Sequence, residues 1–189
     1  MIDTSKIIQA ICYLLSKVKT ADKLKLIKLL YLADKYHILR YARTVTNDEY
    51  WAMDYGLVGS VAKDILGFDP VLLSREFEYA DKMLKKINQH TFTQGEHCSI
   101  EELESLSETD IEALDFVSEK FGDQSTKQLI TLTHFYPEWA QYKELFENRM
   151  TRRERVEDGE LLSVLENDVM AVSADHLEES AKILSGLCA

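Results

Sequence analysis

The 189-residue sequence predicts a mainly α fold: a compact multi-helix domain with one candidate β-hairpin and a helical C-terminal extension. Three observations carry this expectation. Only two prolines and seven glycines interrupt the chain, so few positions force the backbone out of a helix. Apolar residues recur at three-to-four spacing in successive segments, which is the period of one helix face. Helix-start signals precede several of these segments, among them Ser107 with Asp110, Ser125 with Gln128, and Pro137.

Taken in order, Ile7, Ile8, Ile11, Leu14, Leu15 and Val18 form the stripe of a first amphipathic helix. Asp22 is placed to N-cap a second, from Lys23 to Tyr41. Residues 42–60, "ARTVTNDEYWAMDYGLVGS", lose the helical period and read as a loop with a short extended or turn segment. Ser60 can cap the short helix "VAKDIL". "SREFEYADKMLKKI" has helical character, while "KINQHTFTQGEHCSI" alternates as a small hairpin does. Ile111, Leu114, Phe116, Val117 and Phe121 make the next helical stripe, which Gly122 stops. "STKQLITLTH" and "PEWAQYKELFENR" follow as helices. These segments make one domain, residues 1–150. The extension, residues 151–189, holds helical candidates at "GELLSVLEN" and "SADHLEESAKILSGL". Their apolar clusters (Leu161, Leu162, Val164 and Leu165, then Leu177, Ala181, Ile183, Leu184 and Leu187) must be buried on the domain or on a partner, because helices this short do not hold alone in water.

Apolar residues make up 46% of the chain and charged residues 29%, an ordinary globular balance. The 22 basic against 33 acidic side chains leave a net charge of −11. That charge opposes contact with a phosphate backbone, so no nucleic-acid binding is expected of the chain alone; it suits a basic protein partner. Cys12, Cys98 and Cys188 are odd in number and far apart, so neither a disulfide framework nor a paired-cysteine metal motif can be read from them, and a reducing cytoplasm is the expected location. "MIDTSKIIQAICYLLSKVK" is interrupted by Gln9, Ser16 and Lys17 and lacks both the basic start and the cleavage site of a signal peptide. No apolar run reaches membrane-spanning length.

"KLIKLLYLADKYHILRYA", residues 25–42, poses the sharpest question, because Asp34 stands in an apolar helix. On a helical wheel Lys28 and Lys35 share one narrow sector, read as solvent-facing, while Asp34 falls on the wide arc of Leu26, Ile27, Leu30, His37, Ile38 and Tyr41. A buried carboxylate has to be hydrogen-bonded, paired or protonated. His37, one turn away, and several tyrosines are candidate partners. The expectation is a structural carboxylate that fixes neighbouring loops. A catalytic base would need a nucleophile or metal that the sequence does not supply. His97 and Cys98 are adjacent and badly spaced for one metal, and HExxH, C-x-x-C, glycine-rich phosphate loops and G-x-S-x-G are all absent. Neither a catalytic group, a metal nor a cofactor is therefore expected. "RMTRRERVEDGE" reads as a solvated helix end whose arginines pair with nearby acids, with a contact patch for an anionic partner as the alternative. "EELESLSETDIEALD" reads as a solvated helix face, or as a mask for a basic surface.

Three separated pieces follow one known pattern. "KLIKLLYLADKYHILRYARTVTNDEYWAMDYGLVGS" resembles the opening of the Panacea domain of SocA-like antitoxins and some phage-associated proteins, and "LSETDIEALDFVSEKFG" with "STKQLITLTHFYPEW" resembles its second half. The matching residues are Leu29, Leu30, Tyr31, Ala33, Asp34, His37, Ala52, Tyr55, Gly56, Val58, Thr133, His134, Pro137 and Trp139. Two turns depart from the pattern: Gly56-Leu57-Val58 stands where the family has Gly-Pro-Val, and Ala42-Arg43-Thr44 where it has Gly-Arg-Pro. The resemblance implies that Tyr31, Asp34, His37, Tyr55, Gly56, His134, Pro137 and Trp139 organise the core, with Asp34 and His134 contributed by the two halves. It also implies a non-enzymatic antitoxin that binds and masks a cognate protein toxin in the cytoplasm. Delivery of the toxin to an AAA+ protease, a phage or prophage binding task, and an enzyme are the alternatives. Self-association stays open, and the sequence names no toxin-binding residue. Because the resemblance ends before the tail, residues 151–189 are expected to serve a partner.

Overall fold

The computed structural model describes residues 2–186; Leu187 and Cys188, named above, lie outside the described residues. The first helix, α1 (Thr4–Val18), starts at Asp3, whose carboxylate accepts hydrogen bonds from the Ser5 and Lys6 N–H groups at 3.0 and 3.2 Å. A short strand, β1 (Thr20–Asp22), leads into α2 (Lys23–Tyr41), where Asp22 takes the expected N-cap and accepts from the Lys25 N–H at 3.0 Å. The helix ends at Ala42, in the left-handed region at φ 50°, which is where the resembling turn carries glycine.

Every residue of α2 from Leu26 to Leu39 is buried. Elements pack on it from several sides: α5 (Glu108–Phe121), α6 (Thr126–Thr133), α9 (Ala174–Leu184) and a 3-10 turn at Asp158–Leu162. A helix enclosed in this way has no solvent-facing sector. The expectation that Lys28 and Lys35 face water is therefore wrong, and both are 0% exposed.

The small hairpin expected after residue 86 is real, but it belongs to a larger sheet. Strands β4 (Leu84–Lys86) and β5 (Thr91–Gln94) pair antiparallel, and β5 also pairs with β1. The short extended segment expected within residues 42–60 is part of a second three-stranded antiparallel sheet: β2 (Tyr50–Met53) pairs with β3 (Gly56–Gly59) on one edge and with β6 (Glu154–Val156) on the other. Strands of three or four residues are too short to print a period on the sequence. The helix α3 (Ser60–Gly67) is not capped by Ser60; the Asp48 carboxylate, from the preceding loop, accepts from the Val61 and Ala62 N–H groups at 3.0 and 2.8 Å. The helix α4 (Ser74–Met83) follows before β4.

Both capping boxes form, at Ser107–Asp110 and Ser125–Gln128. The single helix expected over 137–149 is instead α7 (Pro137–Ala140) and α8 (Lys143–Glu147). At the break, Gln141 and Tyr142 turn their side chains toward Glu160, at 2.5 and 3.3 Å. The arginine-rich stretch is no helix end, since it supplies β6: Arg153 lies over the Trp51 ring at 4.6 Å, and Arg155 pairs with Glu157 at 3.1 Å. The described part of the tail lies on the body. Leu161 and Met170 are fully buried, the Ser180 hydroxyl donates to the Leu39 carbonyl at 3.3 Å, and Arg40 donates to the Met170 carbonyl at 3.1 Å. The inward face of α9 runs through Leu177, Ser180 and Leu184, while Ala181 and Ile183 are exposed. Cys12 on α1 and Cys98 in the loop after β5 form a disulfide with Cα atoms 6.3 Å apart, a pairing that their spacing in sequence did not reveal.

Candidate functional site

Four polar side chains of α2 point into four different neighbourhoods, and each holds a loop. Asp34 accepts from the Thr46 N–H at 2.9 Å, from the Tyr50 hydroxyl at 2.7 Å, and from the Thr46 hydroxyl. Of the partners considered from sequence it is bonded by a tyrosine, Tyr50, and not by His37. Burial pushes its carboxyl up to about 6, against the pull of these hydrogen bonds. The bonds tie the chain from Thr46 to Tyr50 onto the helix.

His37 serves a different loop. Its Nδ1 lies 2.7 Å from the Arg43 carbonyl, which accepts only, so that nitrogen carries the proton; Nε2, 3.0 Å from the Thr109 hydroxyl, then accepts. Burial lowers the imidazole below its ordinary range, consistent with the neutral form. Beside it, Lys6 and Arg43 reach Asp110 at 2.8 and 2.9 Å. Burial would raise Asp110, but Lys6, Ser107 and Arg43 outweigh it and hold the carboxyl below its usual range.

Lys35 donates to Glu138 at 2.6 Å, to the Leu161 carbonyl at 3.0 Å and to the Ser163 carbonyl. Tyr31 donates to the same Glu138 oxygen at 2.5 Å. Lys35 and Glu138 are both buried, and burial lowers the amine despite the carboxylate beside it. One helix residue thus clamps α7 and the start of the tail together.

The fourth neighbourhood is the turn between β2 and β3. Lys28 donates to the Leu57 carbonyl at 2.8 Å, and burial brings its amine down to about 7. Gly56, above it, has φ +97°, and a Cβ there would stand 2.7 Å from the Lys28 Nζ and 3.1 Å from the Thr133 hydroxyl. On the other side of the turn the Trp139 indole donates to the Met53 carbonyl at 2.8 Å. His134 stacks on Trp139 with ring centroids 3.6 Å apart, and burial, then Lys28, lowers its imidazole to about 4. Tyr55, at the tip, is 63% exposed.

The structure therefore brings Gly56, His134 and Trp139 together around Lys28 and leaves Tyr31, Asp34 and His37 at separate stations. Tyr55 and Pro137 are not core residues. Tyr55 tips the hairpin, and Pro137 is exposed at the first position of α7, where its missing N–H costs nothing. Sequence reasoning missed Lys28, Lys35, Arg43, Asp48, Asp110 and Glu138. Two lysines seven apart in an otherwise apolar helix were the available signal. Chemically, the carboxylates are engaged with backbone N–H groups, hydroxyls and cations. Among the described residues no three His, Cys, Asp or Glu side chains gather as a metal site would require.

Compared with protein-family models, residues 26–140, more than half of the chain, match the family described as antitoxin SocA-like, Panacea domain. No curated protein and no solved structure gives a significant match.

Proposed function

This chain belongs to the family of SocA-like antitoxins that carry a Panacea domain, and from that premise we propose that it binds a cognate protein toxin by direct contact and suppresses it. The family match is the observation that carries the reading. The interior supports it: the polar groups of α2 fix loop positions, as a binding scaffold needs. On this reading the protein is a binding module and not an enzyme, and its −11 charge works at a distance, favouring approach of basic surfaces and opposing nucleic acid. The test is co-expression with the product of the adjacent gene, scoring growth rescue and co-purification of the two chains. Rescue with stoichiometric co-purification supports direct neutralisation. Absence of both refutes it, and rescue without a complex would require another mechanism.

A further inference from the structure

The β2–β3 turn borders a depression of about 520 Å³. Its floor is apolar, formed by Ile27 of α2, Met53 of β2 and Val58 of β3. Tyr55 stands at its edge with most of its ring in water. That exposure is not the looseness of an unsupported loop. The carbonyl before the turn is held by the Trp139 indole and the carbonyl after it by the Lys28 amine, and Gly56 sets the bend between them. A partner meeting Tyr55 has no turn to order, so little conformational entropy is lost on contact. An aromatic side chain on such a platform, next to an apolar depression, is where binding energy concentrates in protein interfaces.

The charge of the rim identifies the partner's chemistry. The chain is acidic as a whole, yet Lys23 from α2, Lys63 from α3 and Arg152 from the segment before β6 converge here, with Asp54 the one carboxylate among the lining residues. Lys63 shares its ammonium with Asp64 at 2.9 Å. Lys23 is held below the ordinary lysine range by burial first and by Lys63 next. Cations crowded at the edge of an apolar depression gain from an arriving anion.

We propose that the Tyr55 turn and its depression are the docking site for an acidic segment of the partner protein, which sets an apolar side chain beside Tyr55 and its carboxylates against Lys23, Lys63 and Arg152. The proposal rests on the antitoxin reading and makes that segment part of the toxin. The overall negative charge and the local cations then act on different parts of the toxin: its basic surface is drawn toward the body of the chain, and its acidic segment to the place where an apolar anchor and local cations coincide.

The test compares four full-length proteins, each co-expressed with the adjacent gene's product: wild type, Tyr55→Ala, Arg152→Glu, and Glu179→Lys. Glu179 lies on α9, which packs at the other end of α2. Tyr55→Ala is expected to weaken binding by at least about tenfold and to lose growth rescue. Arg152→Glu should slow association and reduce its salt dependence, and Glu179→Lys should match wild type. All four should melt alike, since the changed side chains are exposed. If Tyr55→Ala and Arg152→Glu bind and protect like wild type, the docking site is wrong while the antitoxin reading stands. If wild type neither binds nor protects, that reading falls and the docking site with it. If Tyr55→Ala instead dissociates a dimer of this chain and leaves toxin affinity intact, the face is a self-contact and the proposal is overturned.

Discussion

Replacing Asp34 by Ala isolates the structural role of the buried carboxylate. The side chain is fully buried and receives three hydrogen bonds, from the Thr46 N–H, the Thr46 hydroxyl and the Tyr50 hydroxyl. Truncation leaves these donors without their acceptor. A hydroxyl of Thr46 can rotate, but its backbone N–H and the packed Tyr50 ring are fixed. With roughly 1–3 kcal/mol for each stranded donor, the loss is about 2–6 kcal/mol, a large part of a typical stability of about 5–15 kcal/mol. For a chain of this size that lowers Tm by about 5–20 °C. The pH dependence gives a second reading. Between about 3.8, its ordinary value, and about 6, its value in the fold, the native state keeps a proton that the unfolded chain has released. Stability from this group is therefore fully present below pH 3.8 and is lost as pH rises toward 6, about 3 kcal/mol at 1.36 kcal/mol per pH unit. Asp34→Asn is neutral throughout, so the parent should lose about 2 kcal/mol relative to it between pH 4 and pH 7. Urea titrations followed by circular dichroism at several pH values measure both effects. A parent-like melt for Asp34→Ala at pH 4.5, or a parent-to-Asn difference that stays flat with pH, would refute the reasoning.

Gly56→Ala should destabilise by about 1–3 kcal/mol, because φ +97° strains any side chain and the new methyl meets the Lys28 amine; an unchanged urea midpoint would contradict it. Lys35→Ala removes the cation from a buried ion pair and leaves Glu138 with the Tyr31 hydroxyl, at a cost of about 3–5 kcal/mol, and frees the Leu161 and Ser163 carbonyls. Limited proteolysis should then cut first near residues 157–165, and the double variant Lys35→Met with Glu138→Gln should regain most of the stability. Removing residues 157–186 should yield aggregated or poorly folded protein, since Leu161 and Met170 are fully buried; a truncated chain that melts cooperatively near the parent's Tm would sink this.

What the sequence disclosed followed the reach of its signals. The long stripes of α1, α2 and α5, and the caps Asp22, Ser107 and Ser125, act within one or two turns and could be read directly. The β2–β3–β6 sheet could not, because β6 comes from residues about a hundred positions away and its arginines looked like a solvated end. The two lysines were misread for a related reason. A helical wheel places side chains about an axis but does not say how many sides are covered, and α2 is covered on several. That the described tail packs on the body, one of the two options its apolar clusters left open, could not be read from the resemblance, which ends before it. The structure uses Lys35 to bind the tail's backbone, a contact 126 and 128 positions away in sequence. At the candidate site, Tyr55, Gly56, His134 and Trp139 could be named from the resemblance, but Lys28, which lies against Gly56 and acts on His134, could not.

Charged and polar groups inside an apolar helix are costly to bury, and well-packed apolar replacements are often as stable or more so. Their retention in α2 needs a reason other than stability. The acceptors supply one. Lys28 and Lys35 end on the carbonyls of Leu57, Leu161 and Ser163, His37 on that of Arg43, and Asp34 on the N–H of Thr46. Leu57 belongs to the edge strand β3 and the others to loops and turns, and an apolar side chain in α2 would take these bonds away at a cost comparable to the gain in packing. Directional bonds also do what apolar contacts cannot: they fix each loop in one position relative to a single rigid axis. The Tyr55 turn, the Thr46–Tyr50 segment and the tail are therefore each anchored to α2 as well as joined to one another through the β2–β3–β6 sheet. A substitution in α2 should shift first the loop that its side chain holds.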